Sequence, residues 1–179
     1  MPPAACTVFD TAIGRCGIAW GPQGIRAFQL PEPDDEGTLR RMFRRGGPLP
    51  QSEPPVEVQD VIERVQALLN GQPIDLRDVV LDQSGIPEFH RRVYAITREI
   101  LAGQTRTYGD IATELGDVSV SRAVGQALGA NPHAVIMPCH RVLAAKGASG
   151  GFSAGGGVST KLRILLIERA QIGAQRGLF

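Results

Sequence analysis

The feature that most limits what this chain can fold into is the difference in apolar pattern between its first thirty residues and those after Pro87. Up to Leu30 the apolar residues come in short runs broken by Gly and Pro: ACTVFD, the turn TAIG, CGIAW, GPQG and IRAFQL. Punctuation of this kind predicts a small antiparallel meander. From Pro87 onward apolar residues recur at three and four positions, the signature of helices that bury one face. DQSGIP, at 82–87, reads as the boundary. The expected architecture is an α/β domain over 1–84 followed by a mostly helical domain over 85–179.

Within the first domain a short helix is expected over 38–45, with Leu39, Met42 and Phe43 inward, then a breaker-rich loop whose most flexible part is 48–55. Val58, Val61, Ile62, Val65, Leu68 and Leu69 fall on one helical face, and Asn70-Gly71 supplies the stop. LRDVVLD, ending at Asp82, reads as a strand. In the second domain Pro87 opens a helix carrying Phe89, Val93, Ile96 and Ile100, closed by Gly103. A shorter helix from Tyr108 to Leu115, a break at Gly116-Asp117 and a third helix from Ser119 to Leu128 have the spacing of a helix-turn-helix. A plain αα-hairpin in a core has the same spacing. The last helix is expected over 159–170, after a glycine-rich loop over 147–157.

Net charge is +1, but it is unevenly placed. Residues before Ser84 carry eight Lys and Arg against twelve Asp and Glu, and those after it eleven against six, so the halves hold −4 and +5. A positive C-terminal half suits a polyanion, because phosphate neutralisation supplies most non-specific nucleic-acid affinity. No apolar run reaches the 18 residues of a membrane span, and the N-terminus lacks the basic and apolar regions of a secretory signal, so a cytoplasmic protein is expected. Three cysteines, Cys6, Cys16 and Cys139, without a CxxC pair, make neither a disulfide framework nor a four-ligand zinc site.

Cys139 stands between Pro138 and His140 at the end of the apolar run AVIM. A buried cysteine is ordinarily a small hydrophobe. A thiol of ordinary pKa, ~8.5, is only slightly ionised at neutral pH, so a nucleophilic role requires a base such as His140, which in turn requires an acidic partner.

RAVGQALGANPHAVIMPCHRV, Arg122 to Val142, resembles the O6-alkylguanine-DNA alkyltransferase family. TYGDIATELG from Thr107, GGFSAGG and the terminal LLIE extend the likeness, and FDTAIG and GIAW extend it loosely into the first domain. The resemblance implies direct reversal of DNA damage by an α/β domain joined to a helical domain with a winged-helix-like helix-turn-helix. It implies irreversible, single-turnover transfer of the alkyl group from O6-alkylguanine in double-stranded DNA to Cys139, with O4-methylthymine as a further candidate substrate and no cofactor.

By the same resemblance His140 is the water-relaying base, Glu168 the carboxylate that orients it, and Asn131 the brace of the turn before the active-site segment. Tyr108 meets N3 of the extruded guanine, Ser153 hydrogen-bonds near O6, and Arg122 fills the gap left in the base stack, since a base attacked at O6 must leave the duplex. Ala123 and Gly125 let the reading helix press into the minor groove. Gln126 faces either solvent or that groove, and Arg141 is grouped with the DNA-contacting residues. Some relatives hold a structural zinc in the first domain. With Cys6 and Cys16 the only cysteines there, and histidines only at 90, 133 and 140, no metal is expected here. A monomer is expected, with cooperation on DNA left open.

Two other classes compete with this expectation. A lesion sensor on the same scaffold would bind and flip damaged bases without chemistry, but such relatives replace the acceptor cysteine that this chain keeps. A Cys-His-Glu hydrolase would need an oxyanion hole, for which no separate motif is present.

Overall fold

The computed structural model describes residues 2–144 and 157–169. The chain divides into two compact units, one formed by residues 1–84 with Pro132–Ile136, the other by Gly85–Asn131 with the chain from Met137.

The first unit is built on an antiparallel sheet of β1 (Ala5–Thr11), β2 (Gly14–Gly21) and β3 (Gly24–Gln29), in that order. Its register sets Cys6 opposite Ala19 and Phe9 opposite Cys16, with a bulge at Ala19/Trp20 between β2 and β3. Helix α1 (Asp35–Met42) starts three residues earlier than the sequence suggests, because Asp34 caps it by accepting a 2.7 Å hydrogen bond from the Gly37 N–H. Met42 joins Cys6 and Ala19 in a core cluster, with Leu39, Phe43 and Leu49 packed against it. Helix α2 (Val56–Leu69) buries all six residues expected on its inner face.

Two expectations for this unit need correction. The loop over 48–55 is tied down at Gln51, where Cys6 N–H donates to Pro50 O at 2.9 Å and Ser52 N–H to Cys6 O at 3.0 Å. LRDVVLD is a turn with one bridge rather than a strand. Asp75 receives the Arg77 side chain and N–H, and Asp78 receives Arg64, so local polar contacts hold the chain in a turn. Only Leu81 pairs, with Ile25 of β3. Gly24, at φ +119, permits this approach: a Cβ there would sit 2.6 Å from Val80 O.

The second unit contains α3 (Glu88–Thr97), α4 (Tyr108–Glu114), α5 (Ser121–Gly129) and α6 (Gly157–Ile167). A two-residue parallel pair, β4 (Arg106–Thr107) with β5 (Val142–Leu143), was not foreseen. Thr107 and Asp110 form a reciprocal capping box that starts α4, and Gly116 at φ +98 ends that helix. A 3-10 turn at Val118–Val120, capped by Asp117, leads into α5. Val124, Ala127 and Leu128 form the buried face of α5, and buried Tyr94 of α3 donates its hydroxyl proton to Ala127 O at 2.6 Å. α4 and α5 thus form a helix-turn-helix backed by α3.

Between α5 and the Cys139 segment the chain makes an excursion. Asn131 and Met137 belong to the second unit, whereas the five residues between them are part of the first. Phe28 N–H donates to Pro132 O at 2.8 Å, and the His133 Nε2 atom lies 2.9 Å from Ile25 O. Val135 is held at φ 70, an unfavourable conformation for a β-branched residue. No helix among the described residues is long and apolar enough to cross a membrane.

Candidate functional site

Pro138 cannot donate a backbone hydrogen bond, and the chain after it closes into a single 3-10 turn, Cys139–Arg141, before β5. All three residues of that turn are buried, Cys139 being 8% exposed. Asn131, at the end of α5, donates from Nδ2 to Met137 O at 2.9 Å and so clamps the two ends of the excursion together. Cys139 N–H donates to the same Met137 carbonyl at 2.8 Å.

His140 and Glu168 are 28 positions apart, yet His140 Nε2 lies 3.0 Å from Glu168 Oε1. Burial pushes the Glu168 carboxyl up, but the charges and hydrogen bonds of His140 and Arg141 more than reverse this and hold it at about 2. Glu168 is therefore a carboxylate, which can only accept, so Nε2 carries the imidazole proton and Nδ1 is the lone-pair nitrogen. Nδ1 is buried and has no hydrogen-bond partner among the described residues. Burial pushes the His140 pKa down, against the pull of Glu168 and with the help of the Arg141 and Lys161 charges, so the ring is neutral at neutral pH.

Lys161 was not singled out in the sequence. It is 1% exposed, and its Nζ donates to Val142 O at 2.6 Å and lies 5.8 Å from the centre of the Tyr108 ring. Burial pushes its pKa down to about 8, while the Cys139 charge opposes the drop. The signal was present: Lys161 shares a helical face with Ile164, Leu165 and Glu168 at spacings of three, four and seven. Burial pushes the Cys139 thiol up, and the Asn131 side chain, the Lys161 charge and the backbone N–H groups of Cys139 and His140 all favour the thiolate. For Tyr108, burial and then the Cys139 charge raise the phenol pKa.

Tyr108 starts α4, half-buried, facing Gly125 of α5, where a Cβ would lie 4.0 Å from the ring. Arg122 and Gln126 are exposed on α5, and Ala123 is half-buried. Arg141 departs from the expected nucleic-acid contact. It is 6% exposed, with Nε and Nη2 on Glu168 at 3.1 and 2.5 Å and Nη1 donating to Ile100 O at 2.7 Å, so its charge is committed inside. Ser153 lies outside the described residues. Among those residues no group of three or more His, Cys, Asp or Glu gathers as for a metal ion.

The fold and site define a two-unit α/β protein in which a helix-turn-helix is followed, after a short excursion, by a buried cysteine next to a histidine–carboxylate pair. Residues 88–170 match the family model described as 6-O-methylguanine DNA methyltransferase, DNA binding domain. The methylated-DNA--protein-cysteine methyltransferase of Mycobacterium leprae is 37% identical over 167 residues, covering 93% of each chain. Its namesake from Methanothermobacter thermautotrophicus is 31% identical over 159 residues, 89% of this chain and 82% of the relative. The crystal structure of Mycobacterium tuberculosis OGT in complex with DNA superposes with a TM-score of 0.74 at 29% identity, covering 95% of this chain and 96% of that one. The chain belongs to the methylated-DNA--protein-cysteine methyltransferase family and is an enzyme of that class.

Proposed function

We propose that the chain repairs double-stranded DNA by moving the alkyl group of O6-alkylguanine irreversibly onto Cys139. The observation that carries this reading is the 3.0 Å contact between His140 and Glu168, which leaves an unprotonated Nδ1 on the residue next to the thiol. In this reading the Cys139 proton passes to Nδ1 through a water, and Glu168 stabilises the imidazolium formed. The sulfur attacks the alkyl carbon, the carbon–O6 bond breaks, and its electron pair leaves with guanine, whose ring then takes up a proton. A thioether has no good leaving group, so each chain reacts once.

Lys161 favours the thiolate, and Tyr108 donates where negative charge develops on the departing base. Extrusion of that base exposes O6 to the buried thiol, with Arg122, exposed at the start of α5, filling the stack. The enclosed position of Cys139 favours chemistry over mere lesion sensing, since a sensor has no use for a thiol among thiolate-stabilising groups. Three free cysteines suit a reducing compartment, and we place the protein in the cytoplasm, acting as a monomer.

The test is intact-protein and peptide mass spectrometry after mixing with excess duplex containing O6-methylguanine. One methyl per chain, on the Cys139 peptide, is expected. Loss of methyl from the DNA with Cys139 unmodified, or repeated turnover, would replace this reading with a hydrolase.

A further inference from the structure

Glu168 serves two partners, and the second is not needed to orient a histidine. We propose that Arg141 is a positioning residue of this site: its guanidinium grips Glu168 so that the carboxylate holds Nε2 of His140 while the imidazole stays neutral, with Nδ1 as its open acceptor. The proposal rests on the alkyl-transfer reading above, which needs a base at Nδ1.

The argument is one of charge matching. A buried carboxylate whose only partner is an imidazole draws a proton onto that ring, because an isolated charge away from water is costly and an ion pair is less so. The resulting imidazolium would carry protons on both nitrogens, and no base would remain. Arg141 removes that demand. Its Nε lies 3.1 Å from Oε1 and 3.2 Å from Oε2, and its Nη2 lies 2.5 Å from Oε2, so the carboxylate charge is already matched by a cation that does not lose its proton. The remaining nitrogen, Nη1, donates to Ile100 O and fixes the guanidinium through a group that does not touch Glu168.

The charged groups acting on His140 are Glu168 and Lys161 from the last helix and its terminus and Arg141 from its own turn, and the Cys139 thiol precedes it in that turn. A proton arriving on His140 while the thiol is intact would therefore add a second cation to a carboxylate that Arg141 already matches, against the Lys161 charge as well. Once Cys139 gives up its proton, the thiolate supplies the second negative charge and the imidazolium is matched. Arg141 thus makes protonation of His140 conditional on ionisation of Cys139. This couples the two events that the reaction needs together.

The experiment is a two-bond 1H–15N NMR titration of the full chain, in which three histidines give three ring systems and the spectrum of His140→Gln identifies His140. In the wild type His140 should be neutral and protonated at Nε2 at neutral pH, titrating below the ordinary imidazole range. In Arg141→Met its midpoint should rise by about one pH unit or more, a tenfold change in proton affinity. The acid limb of the Cys139 transfer rate should move by the same amount. Arg141→Lys keeps the charge but loses the fork and should fall between the two, giving a second reading if the methionine variant does not fold.

A wild-type ring that is cationic or protonated at Nδ1 at neutral pH would overturn the proposal, as would a folded Arg141→Met whose titration overlays the wild type. If the wild type transfers nothing to Cys139, the functional reading fails by itself, and the NMR titration still decides the role of Arg141.

Discussion

Cys16 and Cys139 are both buried thiols, and they differ in everything else. Cys16 sits on β2 at 0% exposure, its sulfur 3.7 Å from the Thr11 hydroxyl, and burial pushes it up to about 12 despite that contact. Cys139 is also buried, but it has Asn131, two backbone N–H groups and the Lys161 ammonium in place to favour its ionised form, with a histidine next in sequence. Burial alone makes a cysteine inert. What distinguishes a nucleophile is that donors and a cation were buried with it, at a cost in desolvation that the sheet never incurs.

The largest expected effect tests that contrast directly. With iodoacetamide at mildly alkaline pH, native protein should be labelled at Cys139 at least about 100-fold faster than at Cys6 or Cys16, and Cys139→Ser should remove nearly all native labelling. Peptide mapping before and after denaturation gives the answer. Equal protection of all three would mean that the polar groups around Cys139 do not activate it.

The next effect concerns stability. The Glu168 pKa is lower in the folded chain than the ordinary 4.5, at about 2, so the unfolded chain binds more protons between those values. Its contribution is complete above the unfolded value and is lost as pH falls through 4.5 toward 2, on the order of 3 kcal/mol in all. Urea unfolding as a function of pH should show this acid limb, and Glu168→Gln should flatten it. A limb of unchanged depth in the variant would place the acid sensitivity elsewhere.

Lys161 gives a smaller change, with the opposite sense in pH. Its folded pKa of about 8 lies below the ordinary 10.5, so its charge costs stability at neutral pH, and that cost disappears as pH rises from about 8 toward 10.5. Lys161→Met should therefore fold at least as well as the wild type. It should transfer about tenfold more slowly at neutral pH and approach the wild-type rate in alkaline solution, where the wild-type ammonium is also lost. Parallel rate profiles would remove Lys161 from thiolate stabilisation.

Gly125→Ala should have the smallest effect on the fold. The added methyl meets the Tyr108 ring at an ordinary 4.0 Å, and a glycine removed from a helix interior gains about 0.5–1 kcal/mol. A variant that is more stable but binds duplex DNA less well would show that Gly125 serves close approach to DNA. Unchanged affinity would make it a packing residue like its neighbours.

The sequence made the contrast between the two cysteines partly legible. PCHRV and the Asn131-Pro132 step pointed to Cys139, His140 and Asn131 through a motif, and Glu168 was reached by likeness across the glycine-rich loop. Lys161 escaped because a lone lysine reads as solvated unless its helical face is traced. Arg141 was grouped with DNA contacts for the same reason: charge in a basic half suggests an exterior role, and only the fold brings Glu168 and Ile100 O to meet it. Element types were recovered where periodicity was strong, as in α2. They failed at LRDVVLD, where the aspartates and arginines bond to each other rather than leaving the backbone to a partner strand.

The excursion between Asn131 and Met137 bears on how the chain comes together in time. Pro132–Ile136 cannot settle until β3 is in place, because Phe28 N–H and Ile25 O are its partners. The contact between Ile25 and His133 spans 108 positions, a loop closure of the kind that slows folding. The loop it stretches ends within a few residues of the nucleophile. Val135, at φ 70, would relax if those partners were taken away. A chain beginning at Gly85 would keep every residue of the helix-turn-helix and of the Cys139–His140–Glu168 relay, yet it would lack the β3 partners of Pro132 and His133. Refolding rates and proteolytic nicking at 132–136 in that truncation would therefore report on the sheet it lacks.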